Sequence, residues 1–360
     1  MAISADVLAT ALNDYAPGLS ETFMKWHPVF EKLIKKGNLD QSNLKGPLRE
    51  FAVVAGGPGT VTEIATGSEV IQGGRKQKLS KGTARAPRLI YAFDVPRKDL
   101  DEANGEYDMA RILKMYPELG MGEFHEHLSQ QLVVGDGANN CGGFLTLNGD
   151  ASWTPGGSTE TGIFEYKTTA TQDDTVHGLV KSGGTGGVAG WHNQFGKITS
   201  FDTDGLDTLR KAYYRCSRQS KTNGKVDIML ADEGTYHNYL NKLDDVVRVA
   251  AVENDHVPAD VRQGIKFLDA TMWLEDSLDI TNSAFASGAD LAQDGVCYML
   301  NSETWEAFIL SHGGKGGYFN TDGPFRIPEQ DMVRYEIILY MGMYCNQLRA
   351  NGVVTGGNQA

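Results

Sequence analysis

Cysteine, proline, positive charge and long apolar runs are all scarce in this chain of 360 residues. Its four cysteines, Cys141, Cys216, Cys297 and Cys345, lie far apart and form no C-x-x-C pair. The sequence therefore offers neither a compact zinc site nor a disulfide framework, and a reducing compartment fits it. No stretch approaches the ~20 apolar residues of a membrane helix. The opening Met1-Ala-Ile-Ser-Ala-Asp6 has no basic segment followed by an apolar one, so a soluble, cytosolic chain without membrane contact is expected. The 33 Lys and Arg stand against 46 Asp and Glu, a net charge of −13. The overall field repels phosphate backbones, and nucleic-acid recognition would need a local basic patch that outweighs it.

Catalytic motifs are equally thin. No GxxxxGK[ST] loop and no GxSxG elbow occurs, and the eight histidines are scattered, which leaves no nucleophile with a sequence-level partner. His125-Glu-His127 is not HExxH, and residues two apart point to different sides of a helix. Asp202-Thr-Asp204-Gly205-Leu-Asp207 places its glycine too early for a calcium loop and lacks the closing Glu, so helix capping accounts for it better. Gly184-Thr-Gly186 and Gly313–Gly317 read as flexible loops. No catalytic residue, cofactor site or metal ligand is assigned, and a non-enzyme is expected.

What is present is organised. Leu19, Phe23, Trp26, Phe30, Leu33 and Ile34 recur at three- and four-residue steps. Pro28 divides that stripe into two short helices, the second running to about Lys36 and closed by Gly37. Strand-like runs at Thr60–Thr66 and Pro87–Val95 flank a glycine- and lysine-rich middle, Gly73–Gly82, and together suggest a long two-stranded excursion. In its second run Leu89, Tyr91, Phe93 and Val95 alternate with Arg88, Ile90, Ala92 and Asp94. A helix over residues 101–134, broken near Pro117, comes next. Glycine-rich loops follow around a strand at Ile163–Thr169. The second half alternates: a helix at Leu206–Ser217, a strand at Val226–Ala231 before a helix with Tyr236 and Tyr239, then a strand at Val296–Leu300 before a helical face of Trp305, Phe308 and Ile309. Val333 to Cys345 closes as a long strand with one wholly apolar face.

Arg75, Lys76, Lys78, Lys81, Arg85 and Arg88 fall between Ile71 and Phe93 with no acidic residue among them. This basic finger on an acidic body reads either as a solvated loop or as a docking element for the acidic surface of an identical neighbour, with complementary charge setting register. Nucleic acid is the lesser alternative. The arm residues Phe23, Trp26 and Phe30 need a covering surface, either in a neighbour or in the subunit's own long helix.

The order of these parts resembles the major capsid proteins of tailed bacteriophages. "LNDYAPGLSETFMKWHPVFEKLIKKG" is similar to their N-terminal arm, the excursion through Gly73–Gly82 to their extended loop, and "FHEHLSQQLVVGDGAN" to the end of their spine helix. "GLVKSGGTGGVAGWHNQFG" resembles their peripheral domain. "VDIMLADEGTYHNYL", "GIKFLDATMWLEDSL" and "CYMLNSETWEAFIL" resemble their axial domain, and "YEIILYMGMYCNQLRANGVV" their returning strand. The resemblance implies an α+β, HK97-like fold. Its parts would be an arm at 1–45, an extended β-hairpin loop at 46–95, a peripheral domain with the spine helix at 96–222, an axial domain at 223–329, and a C-terminal strand with a flexible tail at 330–360. It also implies a virion shell, assembled in the bacterial cytoplasm from pentamers and hexamers of identical subunits around duplex DNA held without sequence-specific contact. A portal protein is a further implied partner, with decoration or cement protein on the outside. The arm begins within the first few residues, which implies a separate scaffolding protein, and the segment Asn139–Val176 suggests extra surface decoration or a small subdomain. An encapsulin-like compartment shares the architecture. A cytosolic α/β enzyme, suggested by the two strand-then-helix units, is the competing class.

Overall fold

The computed structural model describes residues 27–37, 39–40, 48–54, 79–96, 98, 106–134, 143–144, 147, 162–166, 175–182, 187–188, 190–220, 224–244, 251–252, 264–275, 278, 295–310, 319–326 and 330–357. In chain order the elements begin with helix α1 (Pro28–Lys35), strands β1 (Leu39–Asp40), β2 (Leu48–Val54), β3 (Leu79–Arg85) and β4 (Arg88–Pro96), and the long helix α2 (Glu106–Val134). Strands β5 (Gly162–Tyr166), β6 (Thr175–Val176), β7 (Leu179–Val180) and β8 (Asn193–Lys197) lead to α3 (Leu206–Gln219), β9 (Ile228–Ala231) and α4 (Glu233–Asp244). The rest is strand: β10 (Ala251–Val252), β11 (Gly264–Phe267), β12 (Ala270–Leu274), β13 (Cys297–Leu300), β14 (Trp305–Ile309), β15 (Phe319–Arg326), β16 (Met332–Cys345) and β17 (Gly352–Thr355).

The short arm helix forms where its punctuation places it. Pro28 takes the first helical position, His27 Nδ1 accepts from the Val29 N–H at 3.2 Å, and Gly37 ends the helix at φ +73°. That is proline at the start, a side-chain cap, and a glycine in the left-handed turn beyond the last carbonyls.

One sheet is organised by β16, whose residues Val333, Tyr335, Ile337, Leu339, Met341, Met343 and Cys345 are all buried. It pairs antiparallel with β4 (Leu89↔Leu339, Phe93↔Tyr335), β15 (Phe319↔Leu339) and β14 (Trp305↔Cys345), and β1 runs parallel to β14. The alternating run at residues 88–96 is thus not the second strand of the basic excursion. Paired in a two-stranded ribbon it would leave Phe93 and Val95 wet; beside β16 both are buried under α2. Phe93 stacks on Tyr116 of that helix at 5.4 Å, and Phe124 lies 5.5 Å from Phe319. Nor does Pro117 break α2, which stays helical through it. An interior proline costs about 3 kcal/mol. Burial of Phe124, Leu128 and Leu132, at roughly 1.5–3 kcal/mol each, exceeds that.

The second sheet has the order β10-β11-β12-β9-β13-β17-β8-β5, with β9/β12 and β8/β17 parallel. Its central strands are apolar on both faces because both are covered, as the period of two requires. Met229, Ala231, Cys297, Met299 and Val354 face α3 and α4, where Leu209, Tyr213, Cys216 and Tyr239 meet them. Ile228, Leu230, Tyr298, Leu300 and Val353 face the core shared with the first sheet. The boundary expected at 222/223 falls between strands of this one sheet. The closing segment, expected as a returning strand and tail, supplies strands to both sheets.

The helical face expected at Trp305, Phe308 and Ile309 is instead strand β14. Asn301 Oδ1 accepts from the Glu303 N–H at 3.1 Å and starts only a 3-10 turn, Ser302–Thr304, before the chain extends. Five residues are too few for spacing to separate helix from strand, and pairing with Met341–Cys345 buries both faces. The acidic run before α3, expected to cap it, makes no such bond: the N-cap of α3 is Gly205, and Asp204 instead accepts from the preceding Thr199 and Ser200 N–H groups at 3.2 Å, bracing a single π turn, Phe201–Gly205.

Candidate assembly surface

Strands β2 and β3 form a two-stranded ribbon with Leu48 opposite Arg85 and Val54 opposite Leu79. Residues 55–78 join its outer ends and lie outside the described residues. That gap contains Arg75, Lys76, Lys78 and the expected strand Thr60–Thr66. The remaining basic residues sit at the ribbon's root: Lys81 is exposed and ion-paired with Glu50 across the ribbon, Arg85 is exposed, and Arg88 is 3.6 Å from Glu336. Of the arm residues, Phe30 is buried in the main core with its ring 5.6 Å from His27. Phe23 and Trp26 lie outside the described residues.

The root is held by an aromatic clamp that sequence reasoning missed. The Phe51 ring stacks on Tyr344 at 4.1 Å and meets the His177 ring edge-on at 5.4 Å. A Cβ on Gly82 would come within 2.6 Å of the Phe51 ring, so only glycine lets β3 run beneath it. The Arg49 guanidinium lies 5.6 and 5.5 Å from the Phe308 and Tyr344 ring centres, with Nη1 2.5 Å from Asp40. The Tyr344 hydroxyl donates to Glu306, and burial, then that carboxylate, pushes its pKa up. His177 carries the link to the sheet: its carbonyl accepts from Thr83 at 2.9 Å and its Nε2 from the Cys345 N–H at 3.3 Å. Burial lowers its pKa to about 4, so the ring is neutral at ordinary pH. The available signal was the alternation of Arg49, Phe51 and Val53.

The arm helix is fixed to the second sheet. His27 Nε2 lies 2.9 Å from Glu275 Oε2 at the end of β12, both side chains buried. Because Nδ1 already accepts the Val29 N–H, the Nε2–H must donate to the carboxylate. Lys32 Nζ donates to the Asp227 carbonyl at 2.6 Å, and its pKa is lowered by burial. Lys36 reaches the Asp227 carboxylate at 3.1 Å and Glu303 at 3.8 Å. Ribbon root and arm helix are thereby both anchored on the subunit's own sheets.

Nucleophilic chemistry finds no support in the described cysteines. Cys216 and Cys345 are fully buried with pKa values pushed up to about 12, and burial raises Cys297 further. Thiols so placed are structural. His125 and His127 lie mid-helix in α2.

No family model matches the chain, and no curated protein matches it either. Solved structures do. The chain is similar to a subunit of the holo-SrpI encapsulin complex from Synechococcus elongatus PCC 7942, at 11% identity and a TM-score of 0.53, covering 91% of this chain and 87% of that one. It is also similar to the capsid of a native GTA particle computed with C5 symmetry, at 11% identity and a TM-score of 0.51, covering 93% and 90%. At that identity the likeness is one of fold, over nearly the whole length of both partners.

Proposed function

We propose that this chain, which has the α+β HK97-like capsid fold, is the repeating subunit of a closed protein shell, and specifically the major capsid protein of a tailed bacteriophage. The observation that carries this reading is the full-length match to two shell-forming subunits. The ribbon and arm support it, because each is clamped at its root on the subunit. A two-stranded ribbon is at best marginally stable by itself, so its outer part is expected to be braced by a neighbour. Arg75, Lys76, Lys78, Lys81, Arg85 and Arg88 would make those contacts, and Phe23 and Trp26 would continue the arm that Phe30 anchors. The subunits would gather into pentamers and hexamers around duplex DNA in the bacterial cytoplasm, with scaffolding, portal and decoration proteins as partners and no catalytic role.

The likeness to the encapsulin favours a second reading, a compartment without a genome. Electron microscopy of the expressed protein tests both. Closed shells, capsomers or tubes are expected; a uniform small particle with enzymatic turnover would overturn both readings. In shells made during infection, nuclease-protected DNA supports the phage reading, and empty or protein-filled shells favour the compartment.

A further inference from the structure

Leu268 stands at the tip of the β11–β12 hairpin in a conformation leucine seldom adopts. Its φ is +54°, in the left-handed region where Cβ crowds the following carbonyl and where glycine, asparagine or aspartate normally sit. The same side chain is 42% exposed, so the subunit covers it only in part. Turn geometry and solvent contact both call for another residue here, and strained positions of this kind gather where a protein makes contacts.

A second observation lies beside it. Phe267, the preceding residue, is buried with its ring 6.2 Å from Tyr213 of α3, and Tyr213 in turn lies 5.7 Å from Tyr214. Tyr214 is 50% exposed on a helix whose opposite side buries Leu209, Ala212, Tyr213 and Cys216. One turn before it and one turn after it α3 exposes Arg210 and Arg218. The hairpin's Asp269 is held by Lys225 at 3.0 Å. A half-exposed tyrosine rimmed by arginines has the composition of an interface anchor, and the leucine at the hairpin tip adds apolar surface to it.

We propose that Leu268 and Tyr214 form an anchor that docks on a second copy of this chain. This rests on the shell reading and names one of its contacts. Copies carrying −13 each repel one another, so they must meet where the local charge is reversed. The Arg210 and Arg218 rim supplies that reversal, and the acidic surface of another copy supplies its complement. A phosphate backbone would also attract the arginines, but it would gain nothing from a strained leucine.

The test compares Leu268→Asn and Tyr214→Ser with the unaltered protein, measuring unfolding of the dissociated subunit and the concentration at which particles appear by light scattering and electron microscopy. Leu268→Asn relieves the left-handed strain, so its subunit should unfold at the same denaturant concentration or higher. The particle threshold should rise about tenfold or more for either variant, as for loss of an anchor residue, and Leu268→Met should largely restore it. Variants that assemble at the unaltered threshold would overturn the anchor while leaving the shell reading intact. A Leu268→Asn subunit that fails to fold would assign Leu268 to the fold and equally overturn it. So would variants that assemble normally but lose low-salt retention of DNA. If the unaltered protein never forms particles, the shell reading fails, and the anchor with it.

Discussion

Asn351 holds the junction between the two sheets by using both ends of its amide. Its Oδ1 accepts from the Asn301 N–H at 2.8 Å and from Trp305 Nε1 at 3.0 Å, and its Nδ2 donates to Thr304 Oγ1 and the Gln347 carbonyl. A buried amide so satisfied is far from neutral to remove, because its partners stay buried without it. Asn351→Leu should destabilise the subunit by about 3–5 kcal/mol in urea unfolding, and a loss under about 1 kcal/mol would mean that water replaces the amide. His177 supports a pH prediction. Its folded pKa is depressed to about 4 by burial, so as pH falls the unfolded chain takes up the proton first. The His177 contribution is therefore intact above about pH 6.5 and lost as pH drops towards 4, about 3 kcal/mol in all. His177→Asn, which tolerates the φ of +53° and does not titrate, should flatten that part of the stability profile. Parallel acid profiles for the two proteins would disprove the assignment. Neither residue was legible in the sequence, because Asn351 is about 50 positions from its main partners and His177 is 168 from Cys345.

At the scale of elements, what could be read was local. The ends of α1 follow from Pro28 and Gly37, and the buried face of β16 from alternation, because each signal lies within a few residues of what it specifies. Pairing was not readable in the same way: the alternation of β4 identified a half-buried strand, but its partner comes about 240 residues later and was assigned wrongly. The ribbon illustrates both cases, since its basic character was visible and its clamp on Tyr344 and His177 was not. Two predictions belong to it. Gly82→Ala places a methyl group against a Phe51 ring that cannot retreat between its neighbours, so overpacking should cost about 1–3 kcal/mol and slow assembly. A melting curve and assembly rate equal to the unaltered protein would argue against a rigid root. Arg75→Glu with Lys76→Glu and Lys78→Glu should leave the subunit folded and block shell formation, since it reverses charge where a like-charged neighbour must be met. Shells of normal yield from that triple variant would disprove the contact.

Across the whole molecule the governing quantity is the excess of carboxylates. A shell that is filled with DNA and later emptied benefits from a wall that does not hold it, because every lysine–phosphate contact releases counterions and adds affinity that rises as salt falls. The net charge of −13 suits such a wall. Six of the 33 basic residues cluster between Arg75 and Arg88 with no acidic residue among them, a smaller group lies on α3, and at the ribbon's root Lys81 and Arg88 already face carboxylates of their own subunit. Positive charge used in protein–protein contact is not available to phosphate. Isolated capsomers are therefore expected to show no salt-sensitive retention of duplex DNA in a gel-shift assay at low ionic strength. Repulsion from the body should outweigh the six clustered cations. Tight binding that falls steeply with added salt would reverse the assignment and make that segment a genome contact. The slope of log affinity against log salt would then count the phosphates it neutralises, at about 0.9 per contact.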